Sequence, residues 1–587
     1  METRRCLVTC CLVVMILGLP PIFQCRDNPS AALSGEAGFW EIEPVSFSFQ
    51  NEAKTLRFRS STIRISYTFH PADRNSGSKP LFVFFNGGPG CATSTGLLSL
   101  DTSPYTLNKE RTGDRWLKQN PYRWTALGNL LYLDAPNSGF SYNLTHHASD
   151  PRQRADEFKV RNFNPFLDAA QCTRLLLRFL AAHPTLQANP VVLVGESYGG
   201  IRATAMLNLL LFYPSYGDGS KIYRDKALVD EIQLHLNQVY PSQAGRPMSP
   251  STVANQFGRQ VLIEPLLAGR YQVQIAGEML ERKGSPIYRI AAETGKTFTP
   301  CRKVEPGSAA DRCNPYGNAL KFVRSAGRDV YHFAKPANWF EELGNRAGDG
   351  LLHARVFSRT LGEEARSIVE LAPGAREEAY RYKKNAAADL ESVLKGPAFD
   401  RLPPGERMCI ESRARRLESG REVSRPGDET GHGGQAGRPS DLLVDVLGPL
   451  NPWDDYLVGC NDAALETFYV NSAVKAGFPI EPTSLLYGRL FLQNLALVKT
   501  FITDAAYDLV IYAPALPASL AKYRAIVQDA TVHDEHIVVN YKPGSLPDIP
   551  TPLLAVITFP HYDRAGHGVA ASQPKKLRDD VGKWLSR

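Results

Sequence analysis

Charge of either sign is not in excess in this chain. Its 67 basic and 60 acidic residues leave a formal charge of +7 across 587 residues, too thin a field to point to a nucleic-acid partner. Internal repetition is absent too, for no period of repeat-protein length recurs. The paired C-x-x-C spacing of a structural zinc site is missing at Cys301 and Cys313, where a local bridge or free thiols fit better. The composition is not that of a disordered or fibrous protein either, since 43% of residues are hydrophobic and 22% charged. What remains is apolar material for at least one large core, as two to four compact units or as one enzyme domain carrying a large insertion.

The apolar stretch Cys6 to Leu19 follows Arg4 and Arg5. It has the length of a signal-peptide core and falls short of the ~20 residues of a membrane span. Residues 1–25 are therefore expected to be a signal peptide, and the remaining chain to be secreted or lumenal (extracellular, vacuolar or lysosomal, or periplasmic) without a stable membrane span. Setting aside Cys6, Cys10, Cys11 and Cys25 leaves Cys91, Cys172, Cys301, Cys313, Cys409 and Cys460, an even set that allows up to three disulfides in an oxidising compartment. Asn143-Leu144-Thr145 is an N-glycosylation acceptor if the chain follows a eukaryotic secretory route.

Strand and helix patterns alternate at both ends of the chain. Ile63 to Phe69 and the apolar runs Leu81 to Phe85, Asn129 to Leu133 and Pro190 to Val194 predict strands. Phe166 to Ala181 and Ile201 to Phe212 carry apolar residues at helical spacing. The alternation returns at Leu495 to Ile502 and Leu553 to Phe559 and closes with a helix from about Pro574. Such an order implies an α/β fold with a mostly parallel central sheet. The core is expected in two parts, 37–215 and 486–587, around a large, mainly helical insertion or lid at 216–485. Within the insertion, residues 411–440 are rich in Arg, Glu, Gly and Ser and predict a mobile loop.

The strongest local signal is Gly195-Glu196-Ser197-Tyr198-Gly199. A serine between glycines on a strand-to-helix turn has its hydroxyl lifted clear of the sheet, which makes Ser197 the candidate nucleophile. A second glycine cluster, Asn86-Gly87-Gly88-Pro89-Gly90-Cys91, follows the strand Leu81 to Phe85, so backbone N–H groups of Gly88 and Tyr198 are the candidate oxyanion donors. A serine needs a base to take its proton. Of the 12 histidines, His567 lies in the glycine-flanked loop Ala565-Gly566-His567-Gly568 after a late strand, with His561 as its near rival. Tyr198, Tyr142 and Phe140 are candidates to line the cleft.

Together these segments resemble the serine carboxypeptidase family (peptidase family S10, the carboxypeptidase Y and cathepsin A type). The matching pieces are Phe85 to Cys91, Leu133-Asp134-Ala135-Pro136 with Gly139-Phe140-Ser141-Tyr142, Gly195 to Gly200, and Ala565-Gly566-His567 with Pro574. The resemblance covers roughly residues 37–215 and 485–587. It implies an α/β-hydrolase fold, with Ser197 as nucleophile and His567 as base and then acid. It also implies that Asn86, Gly87 and Glu196 hold the substrate's C-terminal carboxylate. Two carboxyl groups meeting in a partly dry pocket cannot both stay ionised, so Glu196 should bind in its protonated form and acidic working conditions follow. For the triad acid, the stretch Val510 to Pro517 has no aspartate, whereas Thr503 to Leu509 resembles the Gly-Tyr-Tyr-Asp-Leu segment of bacterial-type members. Asp508 is favoured there over Asp504. The segment Asp134 to Tyr142 is one residue short of the family spacing, and Gly568 stands where methionine often follows the histidine, so substrate preference is not carried over.

The expected function is that of a serine-type carboxypeptidase releasing C-terminal residues from peptides or proteins through an acyl-enzyme, with no metal or organic cofactor. An esterase or acyltransferase on the same scaffold is the first alternative. A catalytically silent peptide-binding relative is the second. The oligomeric state is left open.

Overall fold

Apolar runs without alternation build the middle of the molecule. Leu81–Phe85, Asn129–Leu133 and Val191–Glu196 are buried at every position, as strands covered on both faces must be. The computed structural model describes residues 33–587 apart from 34, 51–54, 61, 89–92, 94–95, 99–101, 108–116, 137–140, 145–164, 219–220, 302–313, 338–482, 547–548 and 550–553. The expected signal peptide at 1–25 and the expected loop at 411–440 lie outside the described residues.

Eleven strands form the main sheet: β1 (Glu36–Ile42), β2 (Thr62–His70), β3 (Leu81–Phe85), β4 (Asn129–Leu133), β5 (Tyr142–Leu144), β6 (Val191–Glu196), β7 (Arg259–Ile263), β8 (Lys499–Ile502), β9 (Val527–His533), β10 (His536–Tyr541) and β11 (Leu554–Thr558). Their order is β1-β2-β4-β3-β6-β7-β8-β11-β10-β9, with β5 also paired to β2. From β4 to β11 the neighbours run parallel. The flanks are antiparallel, and β10 there shows the alternating burial of a sheet covered more on one face. The α/β class and the mostly parallel sheet of an α/β-hydrolase fold are thus present.

Helix α1 (Pro165–Ala182) precedes β6, and α2 (Gly199–Leu211) follows it after a two-residue turn. Helix α2 is buried along its whole length because it packs on β6 and is itself flanked by α1 and by α3 (Thr483–Leu495). On the other face, Leu577, Val581 and Trp584 of α4 (Pro574–Ser586) join Phe82, Phe84, Val192, Val194, Val261, Ile263 and Phe501 in one core. Period-two alternation along the strands thus divides their side chains between two helical layers.

One boundary differs from expectation. Strand β7 lies in mid-sheet between β6 and β8, inside the stretch 216–485 assigned to the insertion. The sheet core therefore runs on past 215 to at least Ile263. The described residues beyond it carry helices at Gly269–Leu280, Pro286–Thr294 and Pro315–Ser325. The allowance of three disulfides also falls. Cys172 is a free thiol buried in α1, while Cys301 is disulfide-bonded.

Candidate active site

The turn from β6 into α2 is tight. Ser197 sits between them at φ 57°, a left-handed conformation that a non-glycine residue keeps only when its surroundings impose it. Here the Ser197 N–H donates to the Ile263 carbonyl at 2.9 Å, and the Ser197 carbonyl accepts from Gly200 at 2.9 Å and Leu266 at 3.0 Å. A Cβ on Gly195 would overlap the Gly199 carbonyl. At Gly87 a Cβ would stand 2.6 Å from Ser197 Cβ and 2.7 Å from the Tyr198 nitrogen. The glycine loop after β3 therefore lies directly on the serine turn, and Gly88 continues it, exposed, at φ 102°. Pro89, Gly90 and Cys91 lie outside the described residues.

The acid and the base come from loops that follow β8 and β11. Asp504–Ala505 and His561–Tyr562 pair as short parallel strands, which brings the two loops side by side. His567 Nδ1 meets Asp508 Oδ2 at 2.8 Å, and Asp508 Oδ1 accepts the backbone N–H groups of Val510 at 2.8 Å and Ile511 at 3.3 Å. The rivals pair with each other: His561 Nδ1 meets Asp504 Oδ2 at 2.8 Å. Exposure separates the two pairs, since the side chain of His561 is 53% exposed and that of His567 6%. A third segment locks the histidine loop, with His567 N–H donating to the Tyr331 carbonyl at 2.8 Å and Phe333 N–H to the Tyr507 carbonyl at 3.2 Å. A Cβ on Gly566 would overlap that Tyr331 carbonyl. Burial works against the imidazolium of His567, but the charge and hydrogen bond of Asp508, with the charge of Glu196, raise its pKa above the usual value. Among the described residues, Ser197 Oγ and His567 are not joined by a hydrogen bond; in resting enzymes such contacts are often long and tighten with substrate.

Glu196 is the last residue of β6 and is buried. Its Oε1 accepts from Asn86 Nδ2 at 3.0 Å, and its Oε2 is buried with no hydrogen-bond partner among the described residues. Burial, opposed by the charge of His567 and reinforced by that of Asp508, pushes its pKa up to about 7. Asn86 is fixed on both sides: Leu97 N–H donates to its Oδ1 at 2.8 Å and its own N–H donates to Thr93 Oγ1 at 3.0 Å. Asn86, Gly87, Glu196 and Ser197 are therefore adjacent, and His567 lies within charge-coupling range of Glu196.

Sequence reasoning missed the group that supports this corner from below. Arg202 in α2 donates Nε–H to Asp168 Oδ2 at 2.9 Å and Nη1–H to the Asn86 carbonyl at 2.5 Å. Its guanidinium lies 5.6 Å from the Phe85 ring and 5.2 Å from the Tyr198 ring. The Tyr198 ring is thus buried, with its hydroxyl 3.3 Å from Asp168, and does not line a cleft as expected. Phe140 and the side chain of Tyr142 lie outside the described residues. Two charged residues at the ends of otherwise apolar helical stretches were the available signal. Glu264, which follows the run Gln260 to Ile263, is another buried ionisable group with no motif around it.

A model of the serine carboxypeptidase family matches residues 44–222. That span is less than a third of the chain; it contains Asn86, Gly88, Glu196, Ser197 and Tyr198 but neither Asp508 nor His567. Serine carboxypeptidase-like 9 of Arabidopsis thaliana is 33% identical over 150 residues, 25% of this chain and 31% of that protein. Serine carboxypeptidase-like 28 of the same plant is 28% identical over 202 residues, 34% of this chain and 41% of that protein. The chain thus spans less than half the length of these curated relatives. Among solved structures, a prohormone-processing carboxypeptidase from Saccharomyces cerevisiae aligns over 94% of this chain and 91% of its own, at 13% identity and a TM-score of 0.40, a likeness too distant to bear on function.

Proposed function

We propose that this relative of the serine carboxypeptidases is itself a serine-type carboxypeptidase, releasing C-terminal residues from peptides or proteins through an acyl-enzyme in an acidic secreted or lumenal setting. The observation that carries the reading is Glu196: a buried carboxyl beside Ser197, one oxygen held by Asn86 and the other unpartnered. Below about pH 7 this group is largely neutral. A neutral O–H donated to a substrate carboxylate gives a charge-assisted bond, whereas an ionised Glu196 repels it. An esterase has no use for such a group.

In the proposed reaction, Ser197 Oγ attacks the scissile carbonyl carbon while His567 Nε2 takes the hydroxyl proton. Asp508 holds the ring through Nδ1–H and stabilises the imidazolium that forms. The oxyanion is received by the backbone N–H groups of Gly88 and Tyr198. His567 then returns the proton to the leaving amine as the C–N bond breaks, and the C-terminal amino acid departs. Water repeats the sequence on the ester, its proton passing to His567 and back to Ser197.

The test is hydrolysis of an N-blocked dipeptide and its C-terminal amide, with Ser197→Ala as control. Below pH 6 the free acid should be cleaved about a hundredfold faster than the amide, matching one lost bond to a charged group at about 1.5–3 kcal/mol, and Ser197→Ala should cleave neither. Equal rates on acid and amide would favour the esterase or acyltransferase reading. A folded protein in which a fluorophosphonate leaves Ser197 unmodified would favour the silent one.

A further inference from the structure

Glu264 follows β7, next to the strand that ends in the serine turn, and the reaction above makes no use of it. It is fully buried and stands at φ 44°, so neighbouring groups must hold its backbone in place. Thr503, which follows β8, does so from both sides: Glu264 N–H donates to Thr503 Oγ1 at 2.9 Å, and that hydroxyl donates to Glu264 Oε1 at 2.8 Å. The same Oε1 accepts the Ala505 N–H at 2.9 Å. The segment Thr503–Ala505 is therefore anchored on this one carboxyl group. Its second oxygen, Oε2, is buried with no hydrogen-bond partner among the described residues.

Asp508 N–H donates to the Ala505 carbonyl at 3.3 Å, so Asp508 closes the same turn that Glu264 grips at Ala505, and the charge of Asp508 bears on Glu264. A carboxylate offers about four acceptor sites. On Asp508 three are taken, by the N–H groups of Val510 and Ile511 and by His567 Nδ1, and one is left. Two neighbouring carboxyls in a dry site cannot both ionise and hold one proton between them. Burial, and then the charges of Asp508 and Asp504, raise the pKa of Glu264 well above the usual carboxyl range, so the proton stays on Glu264. The other groups around it are the Thr503 hydroxyl, Asp504, which is paired with His561, and the phenol of Tyr562, which burial keeps neutral.

We propose that Glu264 is a positioning residue for Asp508: its Oε2–H donates to the Asp508 carboxylate while its Oε1 holds the Thr503–Ala505 backbone, so that the acid meets His567 in one fixed orientation. The inference rests on the reading of Asp508 and His567 as acid and base. Two readouts in the full-length protein test it, the rate at which a fluorophosphonate labels Ser197 and the ring titration of His567 followed by NMR. Glu264→Gln keeps both a donor and an acceptor and should label within about threefold of the wild type. Glu264→Met removes both and should label about tenfold more slowly or worse, the loss of one hydrogen bond to a charged group. It should also titrate His567 about one pH unit higher, because Asp508 no longer shares its charge with a donor. Equal labelling and equal titration in wild type and Glu264→Met would overturn the proposal, as would a Glu264→Gln loss as large as that of Glu264→Met. If Glu264→Met does not fold, Glu264→Asn, which withdraws the donor by one methylene, should show the same two losses, and its equality with Glu264→Gln would overturn the proposal. A folded wild type whose Ser197 is never labelled defeats the hydrolase reading instead, and the His567 titration then decides Glu264 on its own.

Discussion

Replacing Glu196 with glutamine leaves a side chain of the same size that can still accept from Asn86 but can no longer ionise. In the wild type, a pKa of about 7 makes the carboxyl about nine-tenths neutral at pH 6 and about one-tenth neutral at pH 8. If only the neutral form grips the substrate carboxylate, KM should rise roughly tenfold across those two pH units. In Glu196→Gln it should stay flat. At pH 5 the variant should be the weaker binder, because an amide N–H replaces a carboxyl O–H toward an anion; a difference of about 1 kcal/mol is about fivefold in KM. The two KM curves should therefore cross between about pH 7 and 8. The assay is steady-state hydrolysis of an N-blocked dipeptide acid from pH 4.5 to 8.5, with kcat and KM resolved separately. His567 contributes a limb of the opposite sense: its pKa is raised, chiefly by Asp508 against burial, and a base is lost as pH falls through that value. A wild-type KM that stays level from pH 5 to 8, or a variant that keeps the alkaline rise, refutes the assignment of the carboxylate grip to Glu196.

The triad acid is tested by Asp508→Asn, for which kcat should fall about 10,000-fold, as when the base loses its correct tautomer, while Asp504→Asn should stay within about twofold because its partner His561 is half in solvent; the reverse ranking refutes the assignment. Arg202→Met strands the Asp168 carboxylate in the core and should reduce unfolding free energy by about 3–5 kcal/mol in a denaturant titration; an unchanged midpoint denies the ion pair its role. Gly195→Ala places a methyl group on the Gly199 carbonyl and should abolish Ser197 labelling and destabilise the fold by more than about 3 kcal/mol, so a labelled, equally stable variant would show that the serine turn is not as tight as described.

Much of this arrangement was legible in the sequence where chemistry is local. The glycines around Ser197 and at 87–88 are spaced for close backbone approach, and the apolar runs before them identify buried parallel strands. The strand Arg259–Ile263 escaped because it begins with Arg and Gln and so offers an apolar run of only three residues amid polar helical segments. Its burial comes from neighbours on both sides, β6 and β8, that lie about 65 and 240 residues away along the chain. Glu264 and Arg202 escaped for a related reason: a charge at the end of an apolar stretch reads as solvated until tertiary structure shows what covers it.

The choice between Asp508 and Asp504 shows where local pattern stops deciding. Asp504 precedes His561 by 57 residues and Asp508 precedes His567 by 59, so spacing cannot rank them, and the short parallel register that joins the two loops pairs Asp504 with His561. What separates the pairs is their depth. In the outer pair the His561 ring is half in solvent, although Asp504 itself is largely covered, so water screens their contact. In the interior, Asp508 is held by two backbone N–H groups and lies within charge range of Glu264 and Glu196. There the Coulomb interaction between Asp508 and the ring is many times stronger than in water, and it sustains an imidazolium that burial alone would oppose. The outer pair has the same atoms at the same 2.8 Å separation, but its imidazole stands half in solvent, where a carboxylate has little power to tune a base.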